Sequence, residues 1–344
     1  MSSTLSLWGA DMRAMLMTAT GGPEVLHLAD VEKPAITNSH NILVRIKTAG
    51  INPVDTKLRS RGTYDPSNLP AILGCDGAGI VEEIGRDVSR FTPGDEVYYC
   101  YGGIGLAPGS YAESIVLDER HAVAHKPKHA SFAEAAAAPL VLITAWESLF
   151  DRARMQAGQK VLIHAGVGGV GHVAIQLAKH AGCHVATTVS DDAKDDFVKA
   201  LGADHVIHYR DQDVTQSVRE WAGEKGADIA FDTVGGEIFE QCFAVVKPYG
   251  DVVTILQPGV DTDWTVARTK NLRISLELML SPQCYGWLDT LAHQADILEK
   301  CASLFDAQEL SIKLAKTLPL EQAAEAHRLL EAGGMTGKLV LNAD

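Results

Sequence analysis

The chain has 344 residues, a formal net charge of −14 and a sequence isoelectric point near 5.3. Its length suits two domains of about 150 residues each, and its acidic surface argues against nucleic acid or an anionic membrane as a partner, since like charges repel. The apolar stretch Ala135 to Trp146 is interrupted by Pro139 and is shorter than the roughly 18–20 apolar residues of a membrane helix.

Cysteine usage and the N-terminus indicate the compartment. The 6 cysteines are scattered, with no C-x-x-C pair, which is typical of a reducing environment. The start, MSSTLSLWGAD, lacks the basic region and long apolar core of a signal peptide. We therefore expect a soluble cytoplasmic protein whose partner is a small molecule.

The first 140 residues contain short segments in which apolar and polar residues alternate between Gly and Pro turns. This period is typical of β-strands with one buried face. The segments are RAMLMTA, NILVRIKTAG, AGIVEEIG, DEVYYC and YAESIVL. They predict a mostly β domain, in the form of a small barrel.

Residues 160–182 have the pattern of a buried strand, a glycine turn and an amphipathic helix. Gly166, Gly168 and Gly171 form G-x-G-x-x-G, with Gly169 and Val170 inside it. Glycines permit the tight turn and the close approach of backbone to a pyrophosphate, and the helix start offers free N–H groups to the anion. The segment therefore predicts a dinucleotide-binding turn.

Strands and helices alternate after this turn, which predicts a parallel sheet with crossover helices. The predicted strands are 183–189, 205–209, 227–233 and 251–256, and the predicted helices are 192–201 and 237–247. Residues 271–280 alternate strictly, so they predict a last strand at an edge used for dimerisation. The tail predicts a helix at 288–304, a strand at about 311–317, a helix at 319–332 and a closing strand, GKLVLNA, that completes the first sheet.

Several long motifs follow one another along the chain: AGINPVDTKLR (49–59), LGCDGAGIVEEIG (73–85), FTPGDEV (91–97), LITAWESLF (142–150), HAGVGGVGHVAIQLAK (164–179), ALGADHVIHYR (200–210), PLEQAAEAHRLLEAGG (319–334) and GKLVL (337–341). In this order they resemble the motifs of the zinc-independent quinone oxidoreductases, the zeta-crystallin-like branch of the medium-chain dehydrogenase/reductase superfamily. The resemblance implies an α/β fold in which a Rossmann doubly wound parallel sheet (141–282) is inserted into a GroES-like mostly-β barrel domain (1–140 plus 283–344). It also implies hydride transfer from NAD(P)H in the cleft between the domains.

The resemblance further implies that no metal takes part. Zinc-dependent relatives have cysteine, histidine and cysteine where this chain has Asn52, Cys75 and Leu140. A catalytic zinc needs three protein ligands and an open position, which this set does not supply. We predict that no zinc is bound and that Cys75 is a buried small residue.

The position that selects the nicotinamide cofactor holds Ser190. NAD enzymes have an acidic residue there, about twenty residues past the glycines, to bind the ribose hydroxyls. Serine leaves room for a 2′-phosphate, and Lys194 and Tyr209 match positions that bind this phosphate in the resembled family. These residues predict NADPH rather than NADH. Asp191 and Asp192 would repel the phosphate if they pointed inward. The structural alternative is that Ser190 or Asp192 only caps the following helix and that Lys194 is an ordinary surface lysine.

The resemblance assigns further cofactor contacts. Val234, followed by Gly235 and Gly236, is expected to line the nicotinamide pocket together with Leu256. Lys338 is expected to reach the cofactor from the last strand.

Hydride transfer to a quinone requires hydrogen-bond donors for the oxygen on which negative charge grows. The expected catalytic residues are Asn52, Lys57, Tyr64 and Thr144, and Arg59 on the same helix is a further candidate. The family commonly has tyrosine where Lys57 stands, and a cation there favours an enolate or a carboxylate-bearing substrate. Thr144 has an alternative role in packing at a helix start beside Trp146. Asp55 is expected to have a structural role, either orienting the loop or capping the helix that Pro53 begins.

The predicted function is NADPH-dependent, metal-free hydride transfer to a quinone or related conjugated carbonyl by a homodimer. The same cofactor would serve an enone, enal or enoyl-thioester reductase, which is the alternative enzyme. A non-catalytic, crystallin-like NADPH-binding protein is the alternative of another class, because fold alone does not settle the reaction.

Overall fold

The computed structural model describes residues 11–344, so all but the last residue of the stretch inspected for a signal peptide lies outside it. The first part of the chain forms β1 (Asp11–Met17), β2 (Leu26–Glu32), β3 (Asn41–Ile51), α1 (Pro53–Arg61), β4 (Ala71–Ile72), β5 (Asp76–Ile84), β6 (Glu96–Cys100), β7 (Ser114–Asp118), β8 (Val123–His125), α2 (Phe132–Ala137) and α3 (Pro139–Trp146). The predicted β texture of this part is confirmed.

The middle of the chain forms a parallel sheet with helices between its strands. Its elements are β9 (Lys160–Ile163), α4 (Gly169–His180), β10 (His184–Val189), α5 (Asp195–Ala200), β11 (His205–His208), α6 (Val214–Ala222), β12 (Ala227–Asp232), α7 (Glu237–Val245), β13 (Val246–Thr254), α8 (Thr265–Thr269) and β14 (Arg273–Leu276). The strand order is β11-β10-β9-β12-β13-β14, and every pairing is parallel. This is the doubly wound Rossmann order: the chain adds strands on one side of β9 up to β11 and then on its other side from β12 to β14.

The tail returns to the first part of the chain. It forms α9 (Ser281–Tyr285), α10 (Leu288–Asp306), β15 (Leu314–Pro319), α11 (Ala323–Ala332) and β16 (Lys338–Asn342). Strands β15 and β16 extend the sheet of order β15-β16-β3-β5-β6-β8, in which β7 also pairs with β3. The antiparallel register sets Leu339 opposite Ile51, which brings Lys338 next to the start of α1. The prediction that the tail completes the first sheet is confirmed.

Several predicted elements are wrong in extent. Strand β13 begins at Val246 and not at 251, β15 spans Leu314–Pro319 and not about 311–317, and α11 begins at Ala323 and not at 319. Two further differences have a clear physical reason. The strand expected over 271–280 ends at Leu276, because Glu277 and Met279 turn into the interior and α9 begins at Ser281. The alternation past Leu276 therefore reflects burial in a turn. The helix expected over 192–201 is a tight turn, Asp192–Lys194, followed by the short α5.

The division at 140/141 and 282/283 stays a prediction. All strands of the parallel sheet fall between its limits, while α3 and α9 span the two boundaries. Within residues 11–344, no helix is long and apolar enough to cross a membrane.

Candidate active site

A cavity of about 580 Å³ lies where α1, α3, the glycine turn, β16 and the segment after β14 meet. Most of the predicted site residues line this cavity: Asn52, Lys57, Tyr64, Thr144, Gly168, Gly169, Val170, Gly171, Leu256 and Lys338. The lining does not include Gly166, Ser190, Lys194, Tyr209 and Val234. The sheet that carries α1 and the sheet that carries the glycine turn thus face one another across a single cleft.

The glycine turn joins β9 to α4 without room for side chains at two positions. A Cβ on Gly166 would lie 2.2 Å from Thr187 Oγ1, and one on Gly171 would lie 2.2 Å from the Ala165 carbonyl oxygen. At Gly168 the nearest atom to a Cβ would be 3.2 Å away. Gly166 and Gly171 permit close packing of the helix on the strand, and Gly168 leaves the backbone open at the helix start. This cradle fits a dinucleotide pyrophosphate.

Asn52 is fully buried at the start of α1, and its amide orientation is set by two charged groups. Its Oδ1 accepts a hydrogen bond from the Lys338 ammonium, which also donates to the Ile51 carbonyl oxygen at 2.9 Å. Its Nδ2 donates to Asp76 Oδ2 at 2.9 Å, and Asp76 Oδ1 accepts from the Leu140 N–H at 2.9 Å. An ammonium faces only the amide oxygen and a carboxylate only the amide nitrogen, so one orientation satisfies both.

Charges in this network are buried together. Burial lowers the pKa of the Lys338 ammonium, while the neighbouring carboxylates of Asp76 and Asp55 oppose that shift. Burial raises the pKa of Asp76, and it raises the pKa of Asp55 to about 7. Lys338 therefore compensates two carboxyl groups that are expensive to ionise in a dry interior.

Asp55 holds the start of α1. Its Oδ2 accepts from the Asn52 N–H at 2.8 Å and from the Tyr111 hydroxyl at 3.2 Å. The Tyr111 hydroxyl also lies 3.1 Å from His327 Nε2. The expectation that Asp55 caps this helix is confirmed.

The remaining predicted catalytic residues surround the cavity. Lys57 is exposed on α1, and the Tyr64 side chain is 47% exposed. Thr144 lies in the second turn of α3, where its hydroxyl donates to the Leu140 carbonyl oxygen at 2.7 Å. Its oxygen lone pairs stay available to accept a hydrogen bond. Arg59 is buried and pairs with Glu331.

The predicted phosphate residues cluster at the carboxyl ends of β10 and β11. Lys194 Nζ donates to Ser190 Oγ, which donates to Asp191 Oδ2 at 2.7 Å. The Tyr209 N–H bonds to the Val189 carbonyl oxygen at 3.1 Å, and the tyrosine side chain is 47% exposed. Of the two carboxylates, Asp191 points into this group and lies 3.3 Å from Lys194 Nζ, whereas Asp192 pairs with His208. Sequence reasoning missed Arg210, whose guanidinium lies 6.0 Å from the Tyr209 ring centre.

Val234 and Leu256 follow neighbouring strands, β12 and β13. The N–H groups of Val234 and Gly235 both donate to Asp232 Oδ1 at 2.9 Å, which fixes this turn. A Cβ on Gly235 would lie 3.1 Å from the Leu256 side chain. Leu256 reaches the cavity lining, whereas Val234 is 48% exposed beside it.

Comparisons with known proteins cover almost the whole chain. Residues 38–128 match the family described as alcohol dehydrogenase GroES-like domain, and residues 201–341 match the one described as zinc-binding dehydrogenase. The human quinone oxidoreductase is 30% identical and covers 96% of this chain and 97% of its own. A zinc-type alcohol dehydrogenase-like protein of Staphylococcus epidermidis is 33% identical, with 91% and 93% covered. The chain belongs to the medium-chain dehydrogenase/reductase superfamily.

Solved structures agree with this assignment. An alcohol dehydrogenase superfamily protein from Novosphingobium aromaticivorans gives a TM-score of 0.90 at 32% identity, covering 97% of this chain and 100% of its own. The Escherichia coli quinone oxidoreductase complexed with NADPH gives 0.83 at 28% identity, covering 96% and 99%. This medium-chain family member is therefore a quinone oxidoreductase-like enzyme, with the GroES-like and Rossmann parts that the resemblance implied.

Some relatives of this medium-chain enzyme are named for zinc, so the fit of zinc to the present residues matters. The Asn52 amide oxygen is bound by the Lys338 ammonium, which would repel a metal cation. Burial holds the pKa of the Cys75 thiol well above its usual range, whereas zinc binds the thiolate. Among residues 11–344, no three His, Cys, Asp or Glu side chains are grouped to hold a metal ion. These residues do not fit a catalytic zinc site.

Sequence reasoning missed a buried acid pair behind the cavity wall of this medium-chain enzyme. Glu277 lines the cavity, and its carboxylate accepts from Arg152 Nε at 2.8 Å. Glu147 is 4% exposed and accepts from Gln294 Nε2 at 3.0 Å. Burial, with Glu277 beside it, raises the pKa of Glu147 to about 8. The residues lie more than a hundred positions apart in sequence, so no local pattern signals the pair.

We expect Glu147→Gln to remove a pH dependence of stability. The folded protein holds a proton on Glu147 that the unfolded chain releases above its ordinary pKa, so wild-type stability falls as pH rises from about 4.5 to about 8. Glutamine keeps the shape without ionising. The free energy of unfolding of the variant relative to wild type should therefore rise by about 2–4 kcal/mol between pH 5 and pH 9, as measured by urea denaturation.

Glu224→Gln is the matched control, because Glu224 is exposed on the loop after α6. Its relative stability should not change with pH. If the free energies of unfolding of Glu147→Gln and wild type instead changed with pH in parallel, Glu147 would be ionised in the folded protein.

Proposed function

We propose that this enzyme is an NADPH-dependent, metal-free reductase that transfers a hydride to a quinone or a related conjugated carbonyl. The observation that carries the proposal is that the glycine cradle and the buried Asn52 amide line one cavity. The quinone oxidoreductase relatives and the NADPH complex of the Escherichia coli protein support the same reaction and cofactor. In balanced form, a quinone, NADPH and a proton give a hydroquinone and NADP⁺.

The protein residues would bind the cofactor and stabilise charge on the acceptor. Gly168, Gly169 and Gly171 would hold the pyrophosphate, which leaves the nicotinamide end to the Leu256 side of the cavity. When bound, the reduced nicotinamide supplies the hydride. Asn52 Nδ2 uses one N–H for Asp76. Its second N–H has no partner among the described residues and would donate to the acceptor oxygen as negative charge grows there.

Lys338 and Asp76 act on the acceptor through Asn52. They prevent the amide from rotating, so the donor needs little reorganisation when charge develops. Lys57, Tyr64 and Thr144 line the same cavity and add polar groups to its wall. Elemental analysis of the purified protein should find no stoichiometric zinc, and finding it would contradict the metal-free part of the proposal.

Cofactor choice is tested at Lys194. The Ser190, Lys194 and Tyr209 group supports NADPH because it offers a cation and two hydroxyls where a 2′-phosphate would lie. Lys194→Ala should raise the KM for NADPH by about 10–100-fold through loss of a charged hydrogen bond, with little change in the KM for NADH. Steady-state kinetics with both cofactors measures this.

The control for Lys194→Ala is Lys199→Ala, which removes a cation that pairs with Asp195 on the same short helix. That variant should leave both KM values unchanged. Equal effects of Lys194→Ala on the two cofactors would contradict the assignment.

An enone, enal or enoyl-thioester reductase remains the alternative enzyme, since it uses the same hydride. It additionally needs a proton donor near the substrate α-carbon, and a panel of one quinone, one enone and one enoyl thioester separates the two. A crystallin-like binding protein would bind NADPH but would reduce none of these three substrates.

Homodimer formation along β14 is also part of the proposal. β14 is the edge strand of the parallel sheet, and Leu276 at its end is 56% exposed. Light scattering should give twice the 36.8 kDa of one chain, and a monomer would exclude the dimer. All 6 cysteines are free, which supports a cytoplasmic location for the reaction.

A further inference from the structure

The cavity face of α1 carries two cations, Lys57 and Arg61, four residues apart and therefore one turn apart on the same side of the helix. Both side chains are exposed at the mouth. In the part of the chain from residue 11 onward, neither forms a salt bridge or a side-chain hydrogen bond, although Arg59 between them pairs with Glu331. The mouth thus has two cations that no other residue between 11 and 344 pairs with.

Folding does not account for this pair. Like charges at this spacing weaken a helix. Arg61 is favoured by the helix C-terminus, but Lys57 is in the middle of the helix. The whole chain has a net charge of −14, so its average field would repel an anion unless cations near the site offset it.

The two cations are also remote from the pyrophosphate cradle. Lys338 bonds to Asn52 while its Cδ would lie 3.0 Å from a Cβ on Gly169, so the Asn52 end of α1 is the end beside the glycine turn. At 1.5 Å of rise per residue, Lys57 lies about 7 Å and Arg61 about 13 Å further along the helix. They therefore face the outer part of the cavity, where the end of an acceptor distant from its reacting carbonyl would lie.

We propose that the hydride acceptor carries an anionic group that binds between Lys57 and Arg61, about 7–13 Å from the carbonyl that meets Asn52. This inference rests on the proposed function and narrows its substrate class to anionic quinones or conjugated carbonyls. The apolar lining from Val54, Leu58 and Leu278 would contact the linking carbon chain.

The test compares a 1,4-benzoquinone that bears a six-carbon carboxylic acid side chain with its methyl ester. Isothermal titration of the NADP⁺-loaded protein measures the dissociation constant of each. Wild type should bind the acid about tenfold more tightly than the ester, since two partly exposed ion pairs contribute modestly each. Arg61→Gln and Lys57→Gln should each lower this ratio about threefold, and the double variant should bring it close to one.

Lys225→Gln is the matched control, because it removes one exposed cation away from the cavity; its ratio should equal that of wild type. A wild-type ratio near one, or a double variant with the wild-type ratio, would overturn the inference. The inference would also be overturned if Lys57→Gln and Arg61→Gln bound NADP⁺ more weakly but kept the wild-type preference for the acid over the ester. The two cations would then be cofactor contacts. Turnover of the ester with NADPH separately tests the reductase function, so the two failures are distinguishable.

Discussion

Replacing Lys338 with methionine should lower the free energy of unfolding by about 3–5 kcal/mol, because removal of one partner strands buried charge. Methionine keeps the part of the stem that packs on Gly169 but removes the ammonium from Asn52 and from the carbonyl oxygen of Ile51. Asp76 and Asp55 then stay buried without a cation. Urea denaturation at pH 7 measures the loss.

The effect should grow with pH. Burial already raises the pKa of Asp55 and Asp76, so folding takes up protons that the unfolded chain would release. Without Lys338 both pKa values rise further, and stability is lost more steeply as pH increases through them. The variant should therefore approach wild-type stability in mild acid.

A double-mutant cycle identifies the cause. Lys338→Met combined with Asp76→Asn removes both charges while keeping hydrogen-bonding capacity at position 76, so the double variant should be more stable than Lys338→Met alone by at least about 1 kcal/mol. Additive losses would mean that Lys338 does not compensate Asp76. In both Lys338→Met and the double variant, kcat should fall, because Asn52 loses contacts that set the orientation of its amide.

Two alanine substitutions in the glycine turn should separate folding from cofactor binding. Gly171→Ala places a Cβ 2.2 Å from a backbone oxygen, so the strand and helix must move apart, at a cost of about 1–3 kcal/mol or more. Gly168 has φ −72° and ψ 171°, which alanine adopts freely, and its Cβ would lie 3.2 Å from the nearest atom. Gly168→Ala should change stability by less than about 1 kcal/mol.

Cofactor affinity should respond to Gly168→Ala. The methyl group at position 168 would occupy the space where backbone must approach the pyrophosphate, so the Kd for NADPH should rise at least about tenfold in a stable protein. Fluorescence titration and denaturation on the same samples measure the two effects. Unchanged NADPH binding by Gly168→Ala would mean that the pyrophosphate lies elsewhere.

The glycine turn was predictable because its requirements are local. Strand, turn and helix follow one another in sequence, and the closest packing falls on Gly166 and Gly171, two of the three glycines that the motif requires. The return of β16 to β3 was also predictable, as a closing strand after the Rossmann elements. The limit of β14 was not, because burial of Glu277 and Met279 in a turn gives the same alternation as a strand.

Much of the cavity lining was predictable residue by residue, but the hydrogen-bond network behind it was not. Asn52 and Lys338 were each expected near the cofactor, yet their mutual hydrogen bond depends on the register of β16 on β3. The Glu147 and Glu277 pair and the Lys57 and Arg61 face depend on packing between elements that the sequence does not order in space. Long-range contacts of this kind carry no periodic signal.

Metal-free, NADPH-dependent quinone reduction is measured by the initial rate of NADPH oxidation by the purified protein with 1,4-benzoquinone, compared with the rate for NADH. We expect rapid oxidation of NADPH, a clearly lower kcat/KM for NADH, and no loss of rate after treatment with a metal chelator. Absence of NADPH oxidation with this quinone, with an enone and with an enoyl thioester would contradict it.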